Sequence, residues 1–235
     1  MKKQLLKSAL IAVAGLGLLA GTAQATLQDT LNGITVGGPS SVNATTDMMS
    51  DTNDSYWNIT ASGGSFATMV LNIAGLGTGS TFGIYDSSNK NNFVELFSGS
   101  QTSAGQHATV SILDDGTVVR NLFDQAGTFT GGTFGYYINF NGITYYSDST
   151  LNQGGIDHMY AFRGTGDTVQ IGDWKPGPWT NNEYVLAFEN GSDFDFNDLV
   201  VMVESVDPVP EPTTMLLFGV GLLGLAGAAR RKSSN

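Results

Sequence analysis

The stretch from Glu183 to Glu204, EYVLAFENGSDFDFNDLVVMVE, holds the densest chemistry in the chain. Two apolar runs flank a short connection in which Glu189, Asp193, Asp195, Asn197 and Asp198 crowd together. Carboxylates this close repel one another, so either their proton affinities rise or a cation neutralises them. Hard oxygen ligands suit calcium, and the pattern predicts a Ca2+ site built from those five residues. In extended backbone Asp193, Asp195 and Asn197 would share one side, with Phe194 and Phe196 on the other. Two alternatives stand beside the metal: a solvated acidic turn whose Asp side chains cap backbone amides, and a catalytic carboxylate pair. Asp193, Asp195, Asn197 and Glu204 also fall at positions 1, 3, 5 and 12 of an EF-hand-like loop. Asp198 stands where that loop needs its turning glycine, and LVVMV alternates like a strand, which excludes the motif.

The elements that would position these residues are strands. Short runs rich in Val, Ile, Phe, Tyr and Thr are punctuated every eight to twelve residues by Gly, Asn, Ser and Thr, the spacing of an all-β sandwich or barrel. Expected strands cover 56–60, 66–73, 81–85, 93–97, 108–113, 118–123, 134–140, 143–147, 158–162, 168–171, 183–188 and 199–204. Asn141-Gly142 between YYINF and ITYY predicts a two-residue hairpin, and Asp114-Asp115-Gly116 predicts a second. Residues 26–54 are expected to form a polar, extended lead-in with at most one short strand, and 207–212, with three prolines, a stiff linker. The expected architecture is a single jelly-roll-like β-sandwich over 26–206.

Composition narrows the function. Within 26–209 stand four basic residues, Lys90, Arg120, Arg163 and Lys175, against twenty acidic ones, a formal charge of −16. Phosphate binding needs a basic surface, so nucleic acid is not an expected partner. The chain has no cysteine, hence no disulfide framework and no thiol catalysis. His107 and His158 are the only histidines, too few to suggest a structural zinc site. Asp157 and His158 are neighbours in sequence and would point to opposite faces of a strand. No Gly-x-Ser-x-Gly elbow or phosphate-binding loop is present, and the chain is expected not to be an enzyme.

Both termini carry addresses. Lys2, Lys3 and Lys7, the apolar stretch from Leu5 to Ala20, and Ala23-Gln24-Ala25 form the three parts of a secretory signal peptide, with cleavage after residue 25. Near the other end, Pro210, Glu211 and Pro212 precede an apolar run from Thr213 to Ala229 and the cations Arg230, Arg231 and Lys232. Seventeen helical residues span roughly 25 Å, at the low end of what crosses a bilayer core. The cations act as a stop-transfer signal and face the cytoplasm, as residues 230–235, which places the domain outside.

This ending resembles the PEP-CTERM sorting signal, which is handled by exosortase in Gram-negative bacteria that make extracellular polysaccharide and biofilm matrix. The resemblance implies that Pro210, Glu211 and Pro212 are read by that membrane peptidase, and that an inner-membrane-anchored precursor is released to the cell surface or matrix. Residues 130–204 resemble the domain of unknown function 4114 family, carried by Phe188-Glu189, by Asp195-Phe196-Asn197-Asp198 and by LNQGGIDHMYAF upstream. Asn190 stands where that family has Asp, which removes one charge from any metal site. This second resemblance implies a β domain and a calcium site, and no reaction.

Trp174 and Trp179 flank Lys175-Pro176-Gly177-Pro178. Aromatic rings on a proline-stiffened loop are possible glycan contacts, although such tryptophans more often cover the end of a sandwich. Together these features lead to an exported, calcium-binding structural protein of the surface or matrix. The rivals are a carbohydrate-binding adhesive module and a secreted polysaccharide hydrolase.

Overall fold

The computed structural model describes residues 27–61, 65–71, 80–99, 105–191 and 193–210, with 65–71 described by their backbone alone. The expected signal peptide with Ala23 and Ala25, the expected span 213–229, Glu211, Pro212, Arg230, Arg231 and Lys232 lie outside these residues. Among the described residues no helix is long and apolar enough to cross a membrane.

In chain order the strands are β1 (Tyr56–Ile59), β2 (Ser65–Leu71), β3 (Thr81–Asp86), β4 (Asn89–Ser98), β5 (His107–Ile112), β6 (Thr117–Arg120) and β7 (Asp124–Thr128). There follow β8 (Thr133–Phe140), β9 (Ile143–Tyr146), β10 (Met159–Arg163), β11 (Thr168–Val169), β12 (Gly177–Pro178), β13 (Glu183–Phe188), β14 (Leu199–Glu204) and β15 (Val206–Val209). One sheet has the order β15-β1-β8-β3-β4, with β9 also on β8, and the other the order β10-β13-β14-β2-β5-β6-β7. Strands β11 and β12 form a small separate ribbon.

The two large sheets pack face to face. Trp57 of β1 meets Tyr184 of β13 edge-on at 4.8 Å between centroids, and Phe82 of β3 meets Phe188 of β13 at 5.7 Å. All four rings are fully buried, the kind of aromatic contact that dominates a core. The architecture is thus mostly antiparallel β and sandwich-like, in agreement with the alternating strands of the sequence.

A further layer covers the outer face of the second sheet. Val185 and Ala187 of β13 and Val200 of β14 pack there with Leu27, Leu31 and Ile34 of a helix over 27–34, here α1, and with Val169, Ile171, Trp179 and Phe196. Strand β13 is therefore buried on both faces, which explains the uninterrupted YVLAF.

The polar lead-in is a different matter from what was expected. It contains α1 and a second short helix, α2 (Asp51–Asp54). Leu27, Leu31 and Ile34 recur at the i, i+4, i+7 spacing of an apolar helical stripe. So short a stripe among Asn, Gly and Thr is no stable helix alone, and tertiary packing on the sheet decides it. The expected linker is also corrected in part, because Val206–Val209 pair with β1 as an edge strand. Pro208 sits opposite Trp57 there, and an edge is where a strand tolerates proline. Strand β6 stops at Arg120, short of the expected residue 123, because Asn121 and Leu122 take positive φ (50° and 73°) and turn the chain into β7. The Asn141-Gly142 turn is present with φ of 51° and 84°, as the hairpin requires.

Candidate functional site

Strands β13 and β14 pair in unbroken register from Glu183↔Glu204 to Phe188↔Leu199, and residues 189–198 connect them. That connection is not extended. Phe194 and Phe196 adopt φ of 54° and 49°, a left-handed conformation that costs a bulky residue on the order of 1–3 kcal/mol. Packing holds it: the Phe196 ring is 3% exposed and stacks on Tyr160 at 3.7 Å with the planes 11° apart. The coil abolishes the alternation that would have put Asp193, Asp195 and Asn197 on one side.

Two of the five expected ligands are consequently paired with each other. Asp195 accepts the Asn197 backbone N–H at 3.3 Å through Oδ1 and its side-chain amide at 2.6 Å through Oδ2. Asp195 and Asn197 thus brace a local turn, and Asp195 is not among the carboxylates whose oxygens converge.

The other three converge. Glu189, Asp193 and Asp198 each present one carboxylate oxygen within 4.8 Å of the others. That is about twice a calcium–oxygen distance, so one ion at the centre could touch all three. Glu189 is fully enclosed at the floor, Asp198 is half-buried, and Asp193 is exposed at the rim. Backbone donors fix the first two. Glu189 Oε1 accepts the Gly191 N–H at 2.6 Å, its Oε2 accepts those of Asp195 at 3.0 Å and Phe196 at 3.3 Å, and Asp198 Oδ2 accepts that of Asn190 at 2.7 Å. Burial, and next the charge of Asp198, push the Glu189 carboxyl up to about 7. Burial likewise raises Asp198. Both shifts mean that the cluster gains from a proton or a cation.

His158 supports the connection from below. Its Nδ1 lies 2.9 Å from the Glu189 carbonyl oxygen, and its own carbonyl accepts the Glu189 N–H at 3.0 Å. Its ring packs on Tyr145 at 4.3 Å, and burial lowers its proton affinity. The histidine is a positioning group for the loop, while Asp157 Oδ1 accepts the Met159 N–H at 3.0 Å.

A second acidic cluster was not foreseen from the sequence. Asp54, at the end of α2, is fully buried, and neither carboxylate oxygen has a hydrogen-bond partner of normal geometry. Burial, then Asp157, then Asp51 push it up to about 9. Asp157 is itself raised to about 6, first by burial. Asp51 differs, being tied to Ser149 by a 2.7 Å hydroxyl bond. Only the fold brings residue 157 to residues 51–54, so no local pattern could announce this group.

The two tryptophans separate. Trp179 is fully buried, with its indole N–H on the Glu183 carbonyl at 3.0 Å, and offers no face to a glycan. The alternation of types around the prolines could not distinguish it from Trp174, which is 43% exposed. Pro210 lies exposed just after β15.

With this geometry established, comparison with known proteins bears mainly on the tail. Residues 208–232 match the PEP-CTERM protein-sorting motif. The motif implies an exported precursor, anchored in the membrane until exosortase processes it, that ends at the cell surface in Gram-negative bacteria. The match speaks of sorting and leaves the β domain unaddressed. No curated protein sequence matches the chain. Among solved structures, the C-terminal domain of BC2L-C lectin from Burkholderia cenocepacia aligns with 64% of this chain and 93% of its own, at 16% identity and a TM-score of 0.30.

Proposed function

We propose that the protein is a non-enzymatic structural component of the cell surface or of the biofilm and exopolysaccharide matrix, braced by one calcium ion at Glu189, Asp193 and Asp198. The resemblance of residues 130–204 to the domain of unknown function 4114 family belongs to the same proposal. Export and release are supported by the sorting motif. The observation that carries the calcium reading is the meeting of three carboxylate oxygens within 4.8 Å around a buried glutamate.

Calcium would serve in place of the proton that burial favours on Glu189 and cancel the repulsion among three carboxylates. Backbone carbonyls and water would complete its shell, which takes six to eight oxygens. The gain is mechanical, because the bound ion would fix the coiled connection against β10 and hold β13 and β14 in register. An open rim and three carboxylates suit a dissociation constant of about 10⁻⁴–10⁻³ M, the range of extracellular calcium modules.

The test is calcium titration of the EDTA-stripped full chain, followed by its melting temperature. At a hundred times Kd a bound ion adds about 2.7 kcal/mol, expected to raise Tm by about 5–10 °C in a chain of this size. Asp198→Asn should remove most of the rise and Asp195→Asn little of it. No rise, or one that Asp198→Asn leaves intact, defeats the proposal. An adhesive function is a second reading, favoured by the exposed indole of Trp174.

A further inference from the structure

The opposite end of the β13–β14 hairpin opens into a cavity of about 330 Å³. That volume is at the low end for small-molecule sites and is enough for one or two sugar rings. Val169, Ile171 and Met202 supply apolar floor, and Trp174, Lys175, Glu183 and Glu204 line the polar side.

Three features mark it as more than a surface dent. First, Trp174 is exposed yet held in place. Its indole N–H donates to the Gly105 carbonyl at 3.2 Å, its backbone N–H donates to Ile171 at 3.1 Å, and the His107 ring meets it edge-on at 5.1 Å. Gly105 takes φ of +83°, and a Cβ there would stand 3.3 Å from the indole, so the glycine permits the close approach. Second, Glu183 and Glu204 are cross-strand partners. Like charges placed directly opposite destabilise a sheet, and this pair stands at the wall of the cleft. Third, both carboxylates line the cleft under constraint: Glu183 Oε2 receives the Thr180 N–H, and burial and then Glu183 raise the proton affinity of Glu204.

We propose that this cleft binds a neutral hexopyranose unit, stacked by its C–H face on Trp174 and held through its hydroxyl groups by Glu183, Glu204 and Lys175. A fixed indole offers area at little entropic cost. Carboxylates accept hydroxyl protons and the ammonium donates to ring or hydroxyl oxygens. The −16 charge of the core disfavours an anionic glycan. This proposal is independent of the calcium site, which lies roughly 20 Å away along the strand.

Of the chain's three tryptophans, Trp57 and Trp179 are fully buried, so quenchable emission reports Trp174. The full chain, in a detergent without a sugar headgroup, is titrated with cellohexaose, galactohexaose and mannohexaose while acrylamide quenching is recorded. At least one oligosaccharide should lower the quenching constant about twofold or more. In calorimetry Glu204→Gln should weaken its binding about tenfold, and Trp174→Ala should abolish it with Tm unchanged. EDTA should leave binding intact. Failure of all three oligosaccharides to protect the indole overturns the proposal, as does binding that survives Trp174→Ala. Binding lost in EDTA but kept in Trp174→Ala would assign the glycan to the calcium connection and equally overturn it.

Discussion

One hairpin carries carboxylates at both ends, and the ends are built on different terms. At the closed end Glu189 is wholly enclosed and answered by three backbone N–H groups, in a connection strained at Phe194 and Phe196. At the open end Glu183 and Glu204 face each other across the ladder beside a cleft, with Trp179 sealed beneath and Trp174 displayed above. The same residue type is enclosed and answered by several backbone donors at one end, and lines a cleft at the other. Burial by itself does not separate the two cases, because Asp54 is as buried as Glu189 and has no such set of donors.

The sharpest way to break this contrast lies at the open end. Trp179→Ala should cost about 3–5 kcal/mol in urea unfolding, as large-to-small changes of buried aromatics do, while Trp174→Ala should stay within about 0.5 kcal/mol. Comparable losses would mean that both indoles serve the core. Next in size, Glu189→Ala in EDTA should cost about 2–4 kcal/mol, because it orphans three N–H donors in the connection. If Glu189→Ala unfolds at the same urea concentration as wild type, the backbone does not depend on that carboxylate.

The buried acids also give a direction with pH. A carboxyl whose folded proton affinity is raised contributes stability that is full below its unfolded value and is lost as pH rises through the folded one. In calcium-free buffer Tm should fall from pH 5 upward, with Asp157 contributing to about 6, Glu189 to about 7 and Asp54 to about 9. Asp54→Asn should flatten the fall between pH 7 and 9, and an unchanged slope there would show that Asp54 does not hold its proton. The smallest effect belongs to Glu204→Gln, which relieves the cross-strand repulsion and should stabilise by about 0.2–1 kcal/mol in urea. A loss of stability instead would make Glu204 a structural partner.

Much of the frame was legible because strands announce themselves by composition and by turns with required φ. The Asn141-Gly142 hairpin and the β13 run needed no tertiary information, the first because few residues accept two positive φ values, the second because burial on both faces removes polar positions. The helix over 27–34 had a signal, three apolar residues at helical spacing, which was outweighed by the glycines and asparagines around it. Strand β15 was hidden by its proline, since only the edge position makes that residue harmless. In the acid connection the residue types were informative and the face assignment was not, because two phenylalanines leave the extended conformation.

The sequence by itself determined the address and the chemistry on offer: a sorting motif at 208–232, a cysteine-free acidic domain, a β pattern, and carboxylates gathered near residue 190. Tertiary structure decided which oxygens meet. Glu189 joins Asp193 and Asp198 while Asp195 turns to Asn197, Asp157 reaches Asp54 from a hundred residues away, and one of two similar tryptophans is buried. Composition and local propensity act over a few residues, whereas convergence and burial depend on contacts between segments that only the packed sheets bring together.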